Sequence, residues 1–342
     1  MGWPVEVWRG HIGEYSFKRH NQTSLYGTTD TLISHFVLGL TENLTESDKD
    51  AWAQTINSFQ DPDTGMYSHE SWEDASGTPY SHATAFAVAA LTLINRTAAH
   101  PLTRFLNLQV SASQWEPWIT DKNGWDHRSS GTWAALSMAG ELDQNFSAWY
   151  FDWMRSQADP RSGGFVCPGK VTDPSKTPQL KWMTCFVHVL WQFHAANETW
   201  AYPKAMVDAT FEMFNSSSGY FCISPGDKKP SQDCNKNPRS KGIASSVNPS
   251  CHQLDGLFTV LRSAALLGGY RWDEAREMCE HHLKAASARL NNKTVLMDRL
   301  PYGDTHGLNG GLQGIAECVR WFPKMVKTRR TWRGSLDYAS FM

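Results

Sequence analysis

The chain has 342 residues, a formal net charge of −2 and 41% hydrophobic residues, enough apolar material for a large core. A charge so near balance carries no basic footprint for nucleic acid, and no run of about eighteen apolar residues is present to span a bilayer. The opening Met1 to Glu6 lacks the charged-then-apolar pattern of a signal peptide and has Glu6 where a myristoylation motif needs Ser or Thr.

In chain order, the first predicted helix has its polar start at Asp30. Next comes an amphipathic helix from Ala51 to Gln60, ended by the turn Asp61-Pro-Asp-Thr-Gly-Met-Tyr67. Pro cannot continue a helix, Gly takes the left-handed turn, and the following aromatic anchors the exit. His82 to Ile94 and Gly131 to Ala139 are almost free of charge, the pattern of helices buried all round. The amphipathic pattern returns from Ala148 to Ala158, with the turn Asp159-Pro-Arg-Ser-Gly-Gly-Phe165 behind it. Trp182 to Phe193 is again apolar, and Ala201 through Phe214 to Gly219-Tyr-Phe221 is a degenerate third copy. A polar stretch at 216–250, rich in Pro, Gly, Lys and Ser, reads as an inserted loop. Two more helices start at His252 and His306, and a basic tail occupies 324–342.

The repeat period is about fifty residues, a signal of stacked supersecondary units. Its alternation of buried and amphipathic helices predicts an all-α fold, a single-domain α/α toroid over 1–342. It has about six helical hairpins, the last of them incomplete, and the segment before Asp30 takes the missing place.

Seven cysteines without a Cys-x-x-Cys pair argue against a zinc ribbon or thioredoxin-like motif; Cys222 and Cys234 flank the polar loop and could pair in an oxidising compartment. Seven Asn-x-Ser/Thr sequons, at Asn21, Asn43, Asn95, Asn145, Asn197, Asn215 and Asn292, allow a secretory location. Several of them also sit where a helix N-cap is wanted. The compartment stays open on this reading.

The alternating helices and the two Gln-Asp-Pro-Asp-Thr-Gly-Met-Tyr and Gln-Ala-Asp-Pro-Arg-Ser-Gly-Gly-Phe turns resemble the prenyltransferase and squalene-cyclase repeat superfamily. They are also similar to other α/α-toroid enzymes, among them glycosidases, polysaccharide lyases and sugar epimerases. The resemblance covers roughly residues 30 to 321 and speaks for architecture more than chemistry.

With the hairpins stacked in parallel order, the six inner helices all start at one mouth. The residues there are Asp30, Tyr80 and His82, Trp125 to Arg128, Lys181 and Trp182, Cys251 to Asp255, and Asp304 to His306. Candidate catalytic groups are therefore His252, Asp255, His306, His82, His127 and Asp126. Candidate substrate-binding groups are Tyr80, Trp125, Arg128, Trp182, Asp30 and Asp304. Each also has a plainer role: Asp30, Asp126 and Ser81 as N-caps, His82 as a satisfied buried histidine, Trp125 and Trp182 as packing. Asp255 stands on an otherwise apolar helix, where a carboxylate is costly unless paired, and His252 at i−3 is the expected partner. A histidine oriented by a carboxylate is the common unit of general acid–base work.

Cys251, Asp255 and His306 have the ligand types that protein prenyltransferases use for zinc, in a different order and spacing. Zinc is the weaker reading, and no cofactor is expected. The acidic Asp-x-Asp-Asp motif of squalene-type cyclases is absent, as are P-loop, GxGxxG, GxSxG and HExxH motifs. The expected activity is acid–base chemistry on a carbohydrate or similar polar substrate, as a hydrolase, lyase or epimerase. Tryptophans 72, 115, 118, 125 and 182 would offer stacking faces, or else anchor the loops. The alternatives are a terpenoid cyclase or transferase with an aromatic, charge-poor cavity, and a binding toroid without catalysis.

Overall fold

The structure, a computed structural model, describes residues 10–17, 22–68, 79–120, 125–164, 179–221, 252–291, 305–326 and 332–337. Helix dominates, as expected. The helices are α1 (Leu25–Val37), α2 (Glu46–Asn57), α3 (Pro79–Leu93), α4 (Thr103–Leu108), α5 (Ala112–Thr120), α6 (Trp125–Ala139), α7 (Gln144–Ser156), α8 (Gln179–Ala195), α9 (Pro203–Phe211), α10 (His252–Leu266), α11 (Trp272–Leu290) and α12 (Thr305–Trp321). Among the described residues the one sheet is the antiparallel pair β1 (Phe214–Asn215) and β2 (Tyr220–Phe221). Residues 216–221 thus belong to a hairpin rather than to the inserted loop, whose remainder lies outside the described residues. No helix among them is long and apolar enough to cross a membrane.

Composition decides which helices go inside. Helices α1 and α12 are buried around nearly their whole circumference, whereas α2 buries Trp52, Ala53 and Ile56, and α7 buries Phe146, Tyr150, Phe151 and Met154. Each fully buried aromatic of this kind contributes about 2–3 kcal/mol. The buried helices meet in sequence order: α1 packs on α3, α3 on α6, α6 on α8, α8 on α10, α10 on α12, and α12 on α1. The α3–α6 contact is the most extensive, because Gly131 lets the backbones touch; a Cβ there would sit 2.4 Å from the Ser81 carbonyl oxygen.

The repeated turns are copies in hydrogen bonding as well as in sequence. Gly65 N–H donates to the Asp61 carbonyl at 2.8 Å, and Gly163 N–H to that of Asp159 at 2.7 Å. Both glycines have positive φ, +74° and +72°, which a side chain would strain.

Capping follows other residues than the sequence reading expected. Ser24 caps α1, Thr45 and Asp48 form a capping box on α2, and Asp143 caps α7. Asp30 is not a cap; it lies in the second turn of α1. None of the described sequon asparagines is an N-cap either. Asn95 and Asn197 take left-handed positions (φ 56° each) just past α3 and α8, which asparagine tolerates better than other side-chain-bearing residues. Asn43, Asn95, Asn145 and Asn197 are exposed; Asn43, Asn95 and Asn197 follow the buried helices α1, α3 and α8, and Asn145 lies in the first turn of α7.

Two segments, 10–17 and 332–337, dock on the buried helices. The carbonyl oxygen of Phe17 accepts from the backbone N–H of Thr305 at 3.1 Å, and Tyr15 stacks on Trp52. At the other end, part of the expected basic tail is packed: Ser335 and Leu336 are buried. Trp191 Nε1 donates to the Leu336 carbonyl at 3.2 Å, Arg333 N–H to the Val37 carbonyl at 3.0 Å, and the Arg262 guanidinium to Asp337 at 2.8 Å. Residues 332–337 therefore touch α1, α8, α10 and α12 toward their C-terminal halves.

Candidate functional site

Three buried helices bring their first turns together. Tyr26 and Asp30 lie at i and i+4 on α1, His82 and Phe86 at i and i+4 on α3, and His306 and Asn309 at i and i+3 on α12, so each pair shares one helix face. The rings interlock: His82 and His306 have centroids 6.2 Å apart, Tyr26 and His306 5.9 Å, Phe86 and His306 5.3 Å. His188 of α8 completes the group, 5.9 Å from His82.

Asp30 is fully buried and draws in three donors. Nδ1 of His306 lies 3.1 Å from Oδ1, the Asn309 side-chain amide donates to the same oxygen at 3.2 Å, and the Thr305 hydroxyl donates to Oδ2 at 3.3 Å. A carboxylate can only accept, so the bond requires a proton on Nδ1 of His306. Any proton this ring gives up or takes from a reactant passes through Nε2.

His82 has a different partner, the Tyr26 hydroxyl, on its Nδ1. Burial pushes the Tyr26 phenol well above its ordinary pKa, and the charge of Asp30 pushes it further. The phenol keeps its proton and shares one hydrogen bond with Nδ1 of His82. One histidine is thus oriented by a carboxylate and the other by a phenol, on neighbouring helices. His306 is the more exposed, at 16% of its side chain, while His82 and His188 are at 6% and 5%.

Of the sequence-derived candidates, the described side chains of Asp30, His82 and His306 fall in this cluster. Asp255 is fully buried on α10. It stands seven residues before Arg262, hence on the same helix face, and Arg262 meets Glu317 of α12 at 2.7 Å. Arg128 lies with its guanidinium 4.6 Å over the Trp118 ring. Trp118 is an anchor rather than an open stacking face: its Nε1 donates to Thr132, and Arg104 lies over it as well. Trp115, likewise, is buried against Phe146 and Trp149. The backbones of Tyr80, Trp125, Asp126, His127, Trp182 and His252 are helical, but their side chains lie outside the described residues, as do Trp72, Cys251 and Asp304 entirely. Among the described residues no three His, Cys, Asp or Glu side chains are placed to hold a metal ion.

No family model matches this chain, and neither does any curated protein or solved structure.

The sequence places Thr305 at the mouth but gives it no role, and it does not single out Tyr26, His188 or Asn309. Two of them carried a signal. His188 is a histidine inside an apolar helix, four residues before the buried Gln192, and Asn309 stands four before Gln313 on α12. Polar residues at helical spacing on a buried helix need partners, and those partners come from the facing helices. Lys181 and Trp182 lie in the first turn of α8, which starts nine residues before His188 and so about two turns beyond the cluster.

Proposed function

We propose that the chain is an α/α-toroid enzyme that carries out acid–base chemistry on a carbohydrate or similar polar substrate at the end of the ring where the buried helices begin. The closed order of contacts, α1–α3–α6–α8–α10–α12 and back to α1, supports the toroid. The resemblance in the repeat turns points the same way, and the packed end segments take the place of the missing half-hairpin.

One observation carries the chemical reading: two histidines with centroids 6.2 Å apart, each fixed through Nδ1 by its own partner. Their Nε2 atoms are the reactive ones, so His306 can take a proton from a substrate carbon or oxygen and return it later in the cycle, while the His82 ring polarises that group by a hydrogen bond. His306, backed by Asp30, is assigned the base, since a carboxylate stabilises the imidazolium that forms. His82, backed by Tyr26, is assigned as the hydrogen-bond donor that polarises the reacting group through Nε2–H without giving up its proton. His188 and Asp255 line the same interior and are assigned to substrate orientation. His127, His252, Asp126, Tyr80, Trp125, Arg128, Trp182 and Asp304 are assigned to the binding surface on the sequence pattern alone. A terpenoid cyclase calls for an aromatic cavity with few charges near it; a buried carboxylate among three histidines fits a polar substrate better. The exposed Asn43, Asn95, Asn145 and Asn197 would carry glycans in a secreted form of the chain, away from this end.

The test is a panel of neutral and uronate-containing oligosaccharides read three ways. Unsaturated product reports a lyase, new reducing ends a hydrolase, and solvent deuterium in recovered sugar an epimerase. Activity in one channel that is lost in both His306→Gln and His82→Gln supports the proposal. Turnover of a polyprenyl diphosphate or a triterpene precursor instead, with no sugar activity, replaces it with the terpenoid reading.

A further inference from the structure

A hydrogen-bond chain runs along the inside of the buried helices from the docked C-terminal segment to the Asp30–His306 pair. The Ser335 hydroxyl donates to Gln313 Oε1 at 2.5 Å, and Gln313 Nε2 donates to Asn309 Oδ1 at 3.1 Å. Asn309 Nδ2 then donates to Asp30 Oδ1 at 3.2 Å, and that oxygen holds Nδ1 of His306. All four side chains from Ser335 to Asp30 are at most 3% exposed.

We infer that Ser335, Gln313 and Asn309 are positioning residues, through which the seated C-terminal segment fixes the orientation and tautomer of His306. The argument rests on direction. An ionised carboxylate cannot donate, so Asn309 must turn its NH₂ to Asp30 and its oxygen to Gln313. Gln313 must then offer its NH₂ to Asn309 and its own oxygen to whatever lies beyond. That oxygen is buried and needs a donor, which is the Ser335 hydroxyl. Each amide has two orientations that differ only by exchanging oxygen and nitrogen, and the two ends of the chain select one of them.

Every link donates toward Asp30, so the dipoles add and each bond polarises the next. Removing the far donor takes the Ser335 hydrogen bond away from the buried Gln313 Oε1, at a cost in stability. Rotating both amides relieves it, but then Asn309 presents oxygen to the carboxylate. The repulsion displaces Asp30 and frees His306 to take its other tautomer. Spacing makes the chain available: His306, Asn309 and Gln313 stand at i, i+3 and i+7 of α12, one above the other on a single face. Among the described residues, Asp30 and Tyr26 of α1 and His82 of α3 are ionisable groups that face His306.

The assignment of a catalytic consequence rests on the proposed role of His306, but the positioning itself can be read without activity. Nitrogen-15 spectra of histidine-labelled protein at one neutral pH report the tautomer of His306, with His306→Gln identifying the signal. The full chain should give one Nδ1–H species. Ser335→Ala should split or shift that signal while far-ultraviolet circular dichroism stays the same, and Ser335→Thr, which keeps the hydroxyl, should restore it. Gln313→Met breaks the middle link and should act like Ser335→Ala. Where a sugar-directed activity has been found, kcat should fall about tenfold to a hundredfold in Ser335→Ala with KM little changed, the signature of a misplaced group. A His306 spectrum in folded Ser335→Ala that superimposes on the unsubstituted protein overturns the inference, whatever the activity does. A shifted spectrum in a protein without sugar activity upholds the positioning and removes only the enzymatic reading.

Discussion

Nδ1 of His306 lies 3.1 Å from Oδ1 of Asp30, a contact between residues 276 positions apart that joins the second turn of α1 to the first turn of α12. Asp30 serves three donors at once, and an amide in its place would turn one donor toward another. Asp30→Asn is therefore expected to lower kcat by about 10²–10⁴-fold, the range for losing a general base and its orienting carboxylate, with a smaller change in KM. Steady-state kinetics and circular dichroism on the same preparation check it; unchanged kcat in a folded variant removes the pair from the mechanism.

Asp255 is, like Asp30, a fully buried carboxyl. Asp255→Asn is expected to abolish activity with only a moderate loss of stability, because the amide keeps a hydrogen bond but loses the charge assigned to orienting the substrate. Dialysis of the unsubstituted protein against a chelator, with and without added zinc, separates this role from that of a metal ligand. Activity is expected to survive the chelator, and zinc-dependent recovery would instead assign Asp255 and His306 to a metal.

The ion pair beneath the interior is a stability element. Arg262 donates to Glu317 through Nε at 3.2 Å and Nη2 at 2.7 Å, and to Asp337 through Nη1 at 2.8 Å, while Glu317 is 1% exposed. Truncating one partner strands a buried charge. Arg262→Met should cost on the order of 3–5 kcal/mol in urea unfolding, and adding Glu317→Leu should recover most of it. A single substitution that costs under about 1 kcal/mol would show that the pair is effectively solvated.

Acid should destabilise the fold through buried neutral histidines. Burial lowers His282 from 6.5 to about 4, His35 to about 4 and His194 to about 3. Between pH 6.5 and about 4 the unfolded chain binds protons on these rings that the folded chain refuses. Stability is therefore fully present above pH 6.5 and falls as the pH drops through this window. His282, 1% exposed with Nδ1 3.3 Å from the Gly219 carbonyl oxygen, contributes about 3 kcal/mol of that loss. Urea midpoints of His282→Gln should depend less steeply on pH over this range; a slope equal to that of the unsubstituted protein would contradict the burial.

Helix content, the repeat period and the buried or half-buried character of each helix were legible in the sequence because they depend on neighbours three and four residues apart. The turns at Asp61 and Asp159 were legible for the same reason: Pro, Gly and Asp act on their own backbone. His82 and His306 could be named as candidates, since a histidine at the start of a buried helix is not needed as a cap. What pairs with them could not. Asp30 looked like a helix start and proves to be a second-turn carboxyl for His306, because the cap is Ser24 and the helix begins earlier than its apolar pattern suggests. Tyr26 gave no signal, as a tyrosine on a buried helix reads as packing until another helix sets an imidazole against its hydroxyl. The tail looked basic and unattached; only the folded chain brings Ser335 to Gln313 and Asp337 to Arg262. Local spacing is written in the chain, whereas the register of one helix against the next is set by side-chain fit such as the Gly131–Ser81 contact. That register chooses which polar residues meet.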